Sequence, residues 1–234
     1  MRLPALLIAL GAFALISGCH GAPGYPKPDE QPPRPQDQLD FRTLYAQNCT
    51  ACHGADGTHG PAVALANPAY QAIVDDASLQ KWISAGMPGT QMPAFAASAG
   101  GMLTGQQIDV LVSGMRREWL KPGVLAGQTP PPYAQIQQGD AARGKQIYAS
   151  ACARCHQQAA QQVADAGYLA LIGDQALRTI IIAGRPDIGH PDWRGDRPGD
   201  PLGAQDVTDI VTYLSALRGE PSTEPAKPQP AAKQ

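Results

Sequence analysis

The chain has 234 residues, of which 43% are hydrophobic and 16% charged, too apolar and too weakly charged for a polymer that stays disordered throughout. Eighteen Lys and Arg against 20 Asp and Glu leave a formal charge of −2, so no sequence-wide basic excess points to nucleic acid. Aromatic residues make up only 6% while Gly and Pro number 25 and 23, which implies small cores, many loops, and an interior filled by something besides side chains.

One basic residue, Arg2, precedes a charge-free run from Leu3 to Ile16, the length of a signal-peptide apolar core and too short to span a bilayer. The stretch Leu15-Ile16-Ser17-Gly18-Cys19 resembles a bacterial lipobox. That resemblance implies removal of residues 1–18, lipid on Cys19, and an exported chain held at the periplasmic side or cell surface by acyl chains. An ordinary signal peptide with an incidental cysteine is the plainer alternative. Six prolines between Ala22 and Gln38 make residues 19–38 an extended tether.

Self-comparison finds Cys49-Thr50-Ala51-Cys52-His53 and, 103 residues later, Cys152-Ala153-Arg154-Cys155-His156, with Tyr45 and Tyr148 each four residues ahead. Further on, Ala85-Gly86-Met87-Pro88 through Phe95 aligns without a gap on Ala183-Gly184-Arg185-Pro186 through Trp193. Apolar spacing predicts a helix at Ile108, Leu111, Val112, Met115 and Trp119 behind a Thr104-to-Gln107 capping box. It predicts another at Val207, Ile210, Val211, Leu214 and Leu217, stopped by Gly219 and Pro221. Shorter helices are expected over 41–47, 78–85, 144–150 and 174–183, and no alternating strand pattern occurs. The repeats read as two mainly α domains, 39–121 and 139–219, joined by a Pro-rich linker over 122–138 and followed by a disordered tail over 220–234. The charges are balanced in each domain at a formal −1, so neither half steers a docking partner.

A Cys-x-x-Cys-His run is the attachment signature of c-type haem, with two thiols for thioether bonds and an adjoining imidazole for the iron. A zinc ribbon would need its second cysteine pair about 15 to 20 residues away, and a thioredoxin-like motif would need a βαβ setting. The cysteine count then closes, with Cys19 for lipid and Cys49, Cys52, Cys152 and Cys155 for two haems. A domain of about 80 residues is marginal alone, and the macrocycle supplies the missing interior.

With these motifs the chain resembles tandem class I cytochrome c domains, as in dihaem cytochromes of the c4 type, each domain wrapped around one covalently attached haem. The resemblance covers nearly all of 39–219. It implies His53 and His156 as proximal iron ligands and a methionine ahead of Pro and an aromatic as the distal one. Met92-Pro93-Ala94-Phe95 fits that pattern, with Met87 as a rival, and Gly60-Pro61 matches the family's proximal loop. The second domain lacks that Gly-Pro, and it has His190 where the first has Met92, with no methionine after Met115. His190 is read as the distal ligand there, and a solvated loop histidine beside a five-coordinate iron is the alternative. The expected function is single-electron transfer between redox proteins of a respiratory chain: a quinol-oxidising complex, a terminal oxidase or another cytochrome. A dihaem redox enzyme, peroxidase-like or thiosulfate-oxidising and using the second haem, is the minority reading, and a haem-based sensor a third.

Overall fold

The computed structural model describes residues 27, 31, 34–135, 137–157, 163–195 and 200–219. The expected signal segment, the lipobox-like stretch with Cys19, His20 and residues 220–234 lie outside them. Contacts divide the chain into residues 1–38 and residues 39–234, and both repeats fall in the second unit. Of the first unit, Pro35–Asp37 forms a 3₁₀ turn in which Arg34 Nε donates to Asp37 Oδ2 at 2.7 Å.

In the first repeat, Asp40 accepts from the Thr43 amide at 2.8 Å and starts α1 (Phe41–Asn48), which buries Phe41, Leu44 and Tyr45 at helical spacing. A break at Cys49 leads into α2 (Thr50–His53). Then come α3 (Pro68–Ile73), α4 (Asp76–Ala85) capped by Asp75, and α5 (Gly105–Trp119). The capping box of α5 forms as its sequence predicts, and Ile108, Leu111, Val112 and Met115 are all buried. Arg116 on α5 reaches back to the Val74 carbonyl at 2.6 Å and to Asp76 at 2.7 Å, tying the α3–α4 junction to the last helix.

The second repeat runs α6 (Ala141–Ala151), α7 (Ala153–His156), α8 (Ala166–Leu169), α9 (Asp174–Ala183) and α10 (Ala204–Ala216). Val207, Ile210, Val211 and Leu214 form the buried stripe of α10. Arg218 takes the part of Arg116, donating to the carbonyls of Leu169 and Ile172 and pairing with Asp174. The α9 bounds match the sequence reading, whereas α4 and α6 begin two or three residues earlier because Asp75 and Asp140 cap them. The helix α3 was not expected, although Asn67-Pro68 carries its signal: an amide side chain that caps and a proline suited to the first turn. Among the described residues the only extended pairing is two isolated bridges.

First and last helices cross closely in both repeats, and each crossing needs a glycine. In the first repeat it is Gly114 on the last helix, where an added Cβ would lie 2.1 Å from Phe41 Cδ2 on the first. In the second it is Gly144 on the first helix, where a Cβ would lie 2.0 Å from the Asp209 carbonyl oxygen and 3.0 Å from Tyr213 Cβ. Counting from Tyr45 and Tyr148, Gly144 stands where the first repeat has Phe41, and by the apolar stripes Tyr213 stands where it has Gly114. The large and small partners have exchanged helices.

The linker is gripped rather than free. Arg178 on α9 is 1% exposed and spends its donors on the Pro132 carbonyl (2.8 Å), the Tyr133 carbonyl (3.1 Å) and Thr208 Oγ1 (3.1 Å). Tyr133 also stacks edge-on with Tyr70 of the first repeat, centroids 6.4 Å apart.

The end of α9 packs on the first repeat. Asn67 Nδ2 donates to the carbonyls of Ala183 (2.8 Å) and Gly184 (3.1 Å), while its Oδ1 caps α3. Arg185 donates to the carbonyls of Gly60 (2.9 Å) and Ala62 (2.8 Å) and pairs with Asp187 at 2.7 Å. Asp187 in turn accepts the backbone amide of His59 at 3.0 Å, a residue held in the left-handed region at φ 60°. With side-chain exposures of 7% and 3%, Arg185 and Asp187 are desolvated, and their hydrogen bonds offset that cost.

A Gly144→Ala substitution is expected to cost about 1–3 kcal/mol, since α6 must back away from a main-chain atom; chemical denaturation followed by circular dichroism measures it. Its bond to Arg185 holds the Asp187 carboxyl down at about 2, so this contribution is present above the ordinary carboxylate range and is lost as pH falls towards 2. Between pH 5 and pH 2 the wild type is expected to lose about 2 kcal/mol more than Asp187→Asn, read from denaturation midpoints.

Candidate functional site

Both Cys-x-x-Cys-His segments fold into the same turn. The Cys49 amide donates to Tyr45 O at 2.9 Å and the His53 amide to Cys49 O at 3.0 Å. The Cys152 amide donates to Tyr148 O at 2.9 Å and the His156 amide to Cys152 O at 3.0 Å. Residues i, i+3 and i+4 share one face of a helical turn, which puts both thiols and the imidazole of each motif on one side. Cys52 and Cys155 are exposed, Cys49 and Cys152 half-buried. Burial, with Cys52 adding to it, pushes the Cys49 thiol up to about 12, so before attachment it is a protonated and weak nucleophile. Among the described residues no three His, Cys, Asp or Glu side chains converge as a zinc site would require.

His53 is held from behind. Its Nδ1 lies 2.8 Å from the Val63 carbonyl oxygen, which makes Nδ1 the protonated nitrogen and leaves Nε2 with its lone pair available. Burial holds the ring's pKa below its ordinary value against that hydrogen bond, favouring the neutral imidazole a metal needs. The loop carrying Val63 is pressed on the turn itself: the Ala62 amide donates to Cys52 O at 2.9 Å, and a Cβ at Gly60 would lie 2.2 Å from that oxygen. Gly60-Pro61 therefore sits beside the Cys52–His53 turn.

The segments after α4 and α9 also match. Gly86 and Gly184 both end their helices at positive φ, 70° and 69°, and a Cβ on either would run into the main chain at Met92–Ala94 or His190–Asp192. The Met87 amide donates to Met92 O at 3.1 Å, and the Arg185 amide to His190 O at 3.0 Å. The register that pairs Met92 with His190, and Met87 with Arg185, thus holds in three dimensions. Met92 is half-buried against the first core.

In the second repeat this brings two imidazoles together. The His156 and His190 rings stand 5.8 Å apart between centroids, tilted by 40°. Imidazole nitrogens bind first-row metals at about 2 Å, so two rings sharing one ion from opposite sides stand about 6 Å apart. His190 Nδ1 is buried without a hydrogen-bond partner, a state that costs about 1–3 kcal/mol in a completed interior. Burial, and then the neighbouring His156, push the pKa of His190 down. Two close rings, with the Nδ1 of His190 buried and unpartnered, fit an iron between them. His59, read as a loop histidine, is exposed.

Sequence reasoning missed Val63, Asn67, Arg185 and Asp187. Only Asn67-Pro68 carries a local signal. The others act through main-chain atoms or across more than 100 residues, where no spacing rule reaches.

Two helical domains, each presenting a Cys-x-x-Cys-His turn, define a tandem c-type cytochrome. The family model for cytochrome c oxidase, cbb3-type, subunit III, matches residues 36–113 and again residues 139–214, and the chain belongs to that family. No curated protein matches the chain closely enough to count as a relative. The two domains bind two covalently attached c-type haems, and the cysteine pairs Cys49/Cys52 and Cys152/Cys155 have the attachment spacing. After full denaturation the purified chain is expected to retain two haems, and Cys152→Ser with Cys155→Ser one, measured from alkaline pyridine spectra per mole of protein.

Proposed function

We propose that this dihaem electron-transfer cytochrome carries two unlike irons, His53 with Met92 in the first domain and His156 with His190 in the second. The observation that carries the reading is the 5.8 Å approach of His190 to His156 at the hairpin position where the first domain has Met92. Each haem, once attached, supplies a one-electron Fe(III)/Fe(II) couple. The polypeptide's part is to hold the ligands. Val63 fixes the tautomer of His53, and the Gly86 and Gly184 turns set the segments that carry residues 92 and 190, which would complete the ligand sets. The same register supports Met92 over Met87, because the residue matching Met87 is Arg185, whose side chain turns away to the loop of the other domain.

A thioether favours Fe(II) relative to a second imidazole, so the first domain is the higher-potential site. Ligation of both irons from two sides leaves no open position for substrate, which favours a carrier over a redox enzyme. The lipobox-like segment supports lipidation of Cys19 and residence on the periplasmic side or cell surface, with residues 19–38 as tether. No helix among the described residues is long and apolar enough to cross a membrane. The partners are redox proteins of a respiratory chain, and the family name favours a terminal oxidase as electron acceptor over another cytochrome or a quinol-oxidising complex.

Potentiometric titration of the Cys19→Ser protein, followed by haem absorbance, is expected to give two separated one-electron waves. In His190→Met the lower wave should rise by tenths of a volt, a fraction of the roughly 0.8 V that axial ligation spans. Two overlapping high-potential waves in the wild type would overturn the mixed ligation. Tight carbon monoxide binding by the reduced wild type would instead support the enzyme reading.

A further inference from the structure

Arg185 touches the surroundings of both histidine sites, one with its main chain and the other with its side chain. Its main chain pairs with His190 in both directions, Arg185 N to His190 O at 3.0 Å and His190 N to Arg185 O at 2.9 Å. Its guanidinium crosses to the first domain and donates to the carbonyls of Gly60 and Ala62. The other face of that loop lies on the Cys52–His53 turn, and the next residue, Val63, supplies the carbonyl that His53 Nδ1 bonds at 2.8 Å. The loop is therefore held between His53 and an arginine of the other domain. Asp187 fixes the guanidinium in turn, receiving Nε at 2.9 Å and Nη2 at 2.7 Å.

We propose that Arg185 is a positioning residue for the iron of the first domain: by clamping the Gly60–Val63 loop it sets the strength of the His53 Nδ1 hydrogen bond, and so couples the two haem sites. The inference rests on the reading of His53 as an iron ligand. A firm bond from Nδ1 makes the imidazole a stronger donor and stabilises Fe(III). Loosening the clamp therefore raises the potential of the first domain. Loss of the positive charge alone would do the opposite, since a nearby cation favours the added electron. The two effects differ in sign, and the sign decides.

The test uses the Cys19→Ser dihaem protein with Arg185→Gln and Arg185→Lys, two readouts being taken on each. The first is the midpoint of the higher-potential wave. The second is solvent exchange of the His53 ring N–H, followed by NMR. Arg185→Gln is expected to raise the midpoint and to speed exchange by on the order of fivefold or more. Arg185→Lys keeps the charge and the Asp187 pair but cannot hold both carbonyls, and should shift both readouts the same way by less. Lysine also keeps the idea testable if the glutamine variant, which leaves Asp187 unpaired, fails to fold. A fall in Arg185→Gln with no change in Arg185→Lys, or no change in either, overturns the inference while leaving the ligand assignment in place. A wild type whose first domain shows no histidine-bound haem overturns the assignment and the inference together.

Discussion

A helical turn that carries Cys, Cys and His at i, i+3 and i+4 delivers both covalent anchors and an imidazole from a single face, and the fold must bring everything else to that face. One side needs a support behind the histidine, which the Gly60–Val63 loop provides through one carbonyl. In the second repeat a separate segment brings a further imidazole, that of His190, to this face. Helices α4 and α9 stop at a positive φ that glycine accommodates readily, so the chain doubles back and Met92 or His190 follows six residues after the glycine. Each repeat spends its short helices on these placements and its long ones on a scaffold of two crossed helices with a thin apolar seam. A core of this size is completed from outside the side-chain inventory, by a macrocycle and by the neighbouring repeat.

How much of this could be read in advance depended on the range of the interaction. The helices were legible because burial recurs along one face: Ile108, Leu111, Val112 and Met115, or Val207, Ile210, Val211 and Leu214. The attachment turns and the Met92/His190 register were legible because the chain contains its own comparison. The helix over Pro68–Ile73 was missed although Asn67-Pro68 announces it, since the segment has too few apolar residues to show a period. Arg178, Arg185 and Asp187 were invisible for a different reason. A buried arginine that bonds carbonyl oxygens has partners without side-chain identity, so composition and spacing carry no trace of them.

The interface gives the repeats unequal roles. The first domain offers its proximal loop and the second the hairpin that follows α9, so the contact is head to tail and not the same surface twice. Arginine at position 185 is what makes this possible. Its counterpart in the first repeat is Met87, a side chain with no donors, and the first domain therefore cannot clamp a third copy in the same way.

The exchanged glycines bear on how such a chain assembles. Tandem copies risk trading equivalent helices while folding, because each first helix has two similar last helices to choose from. Phe41 against Tyr213 would set two aromatic rings in one crossing, and Gly144 against Gly114 would leave a hole where a ring should be. The right pairings fit differently: Phe41 lies over Gly114 in the first repeat, and in the second Gly144 lets α6 approach the Asp209 carbonyl and Tyr213 Cβ. Each crossing is thus matched in size within its own repeat, and an exchange of helices would set large against large and small against small.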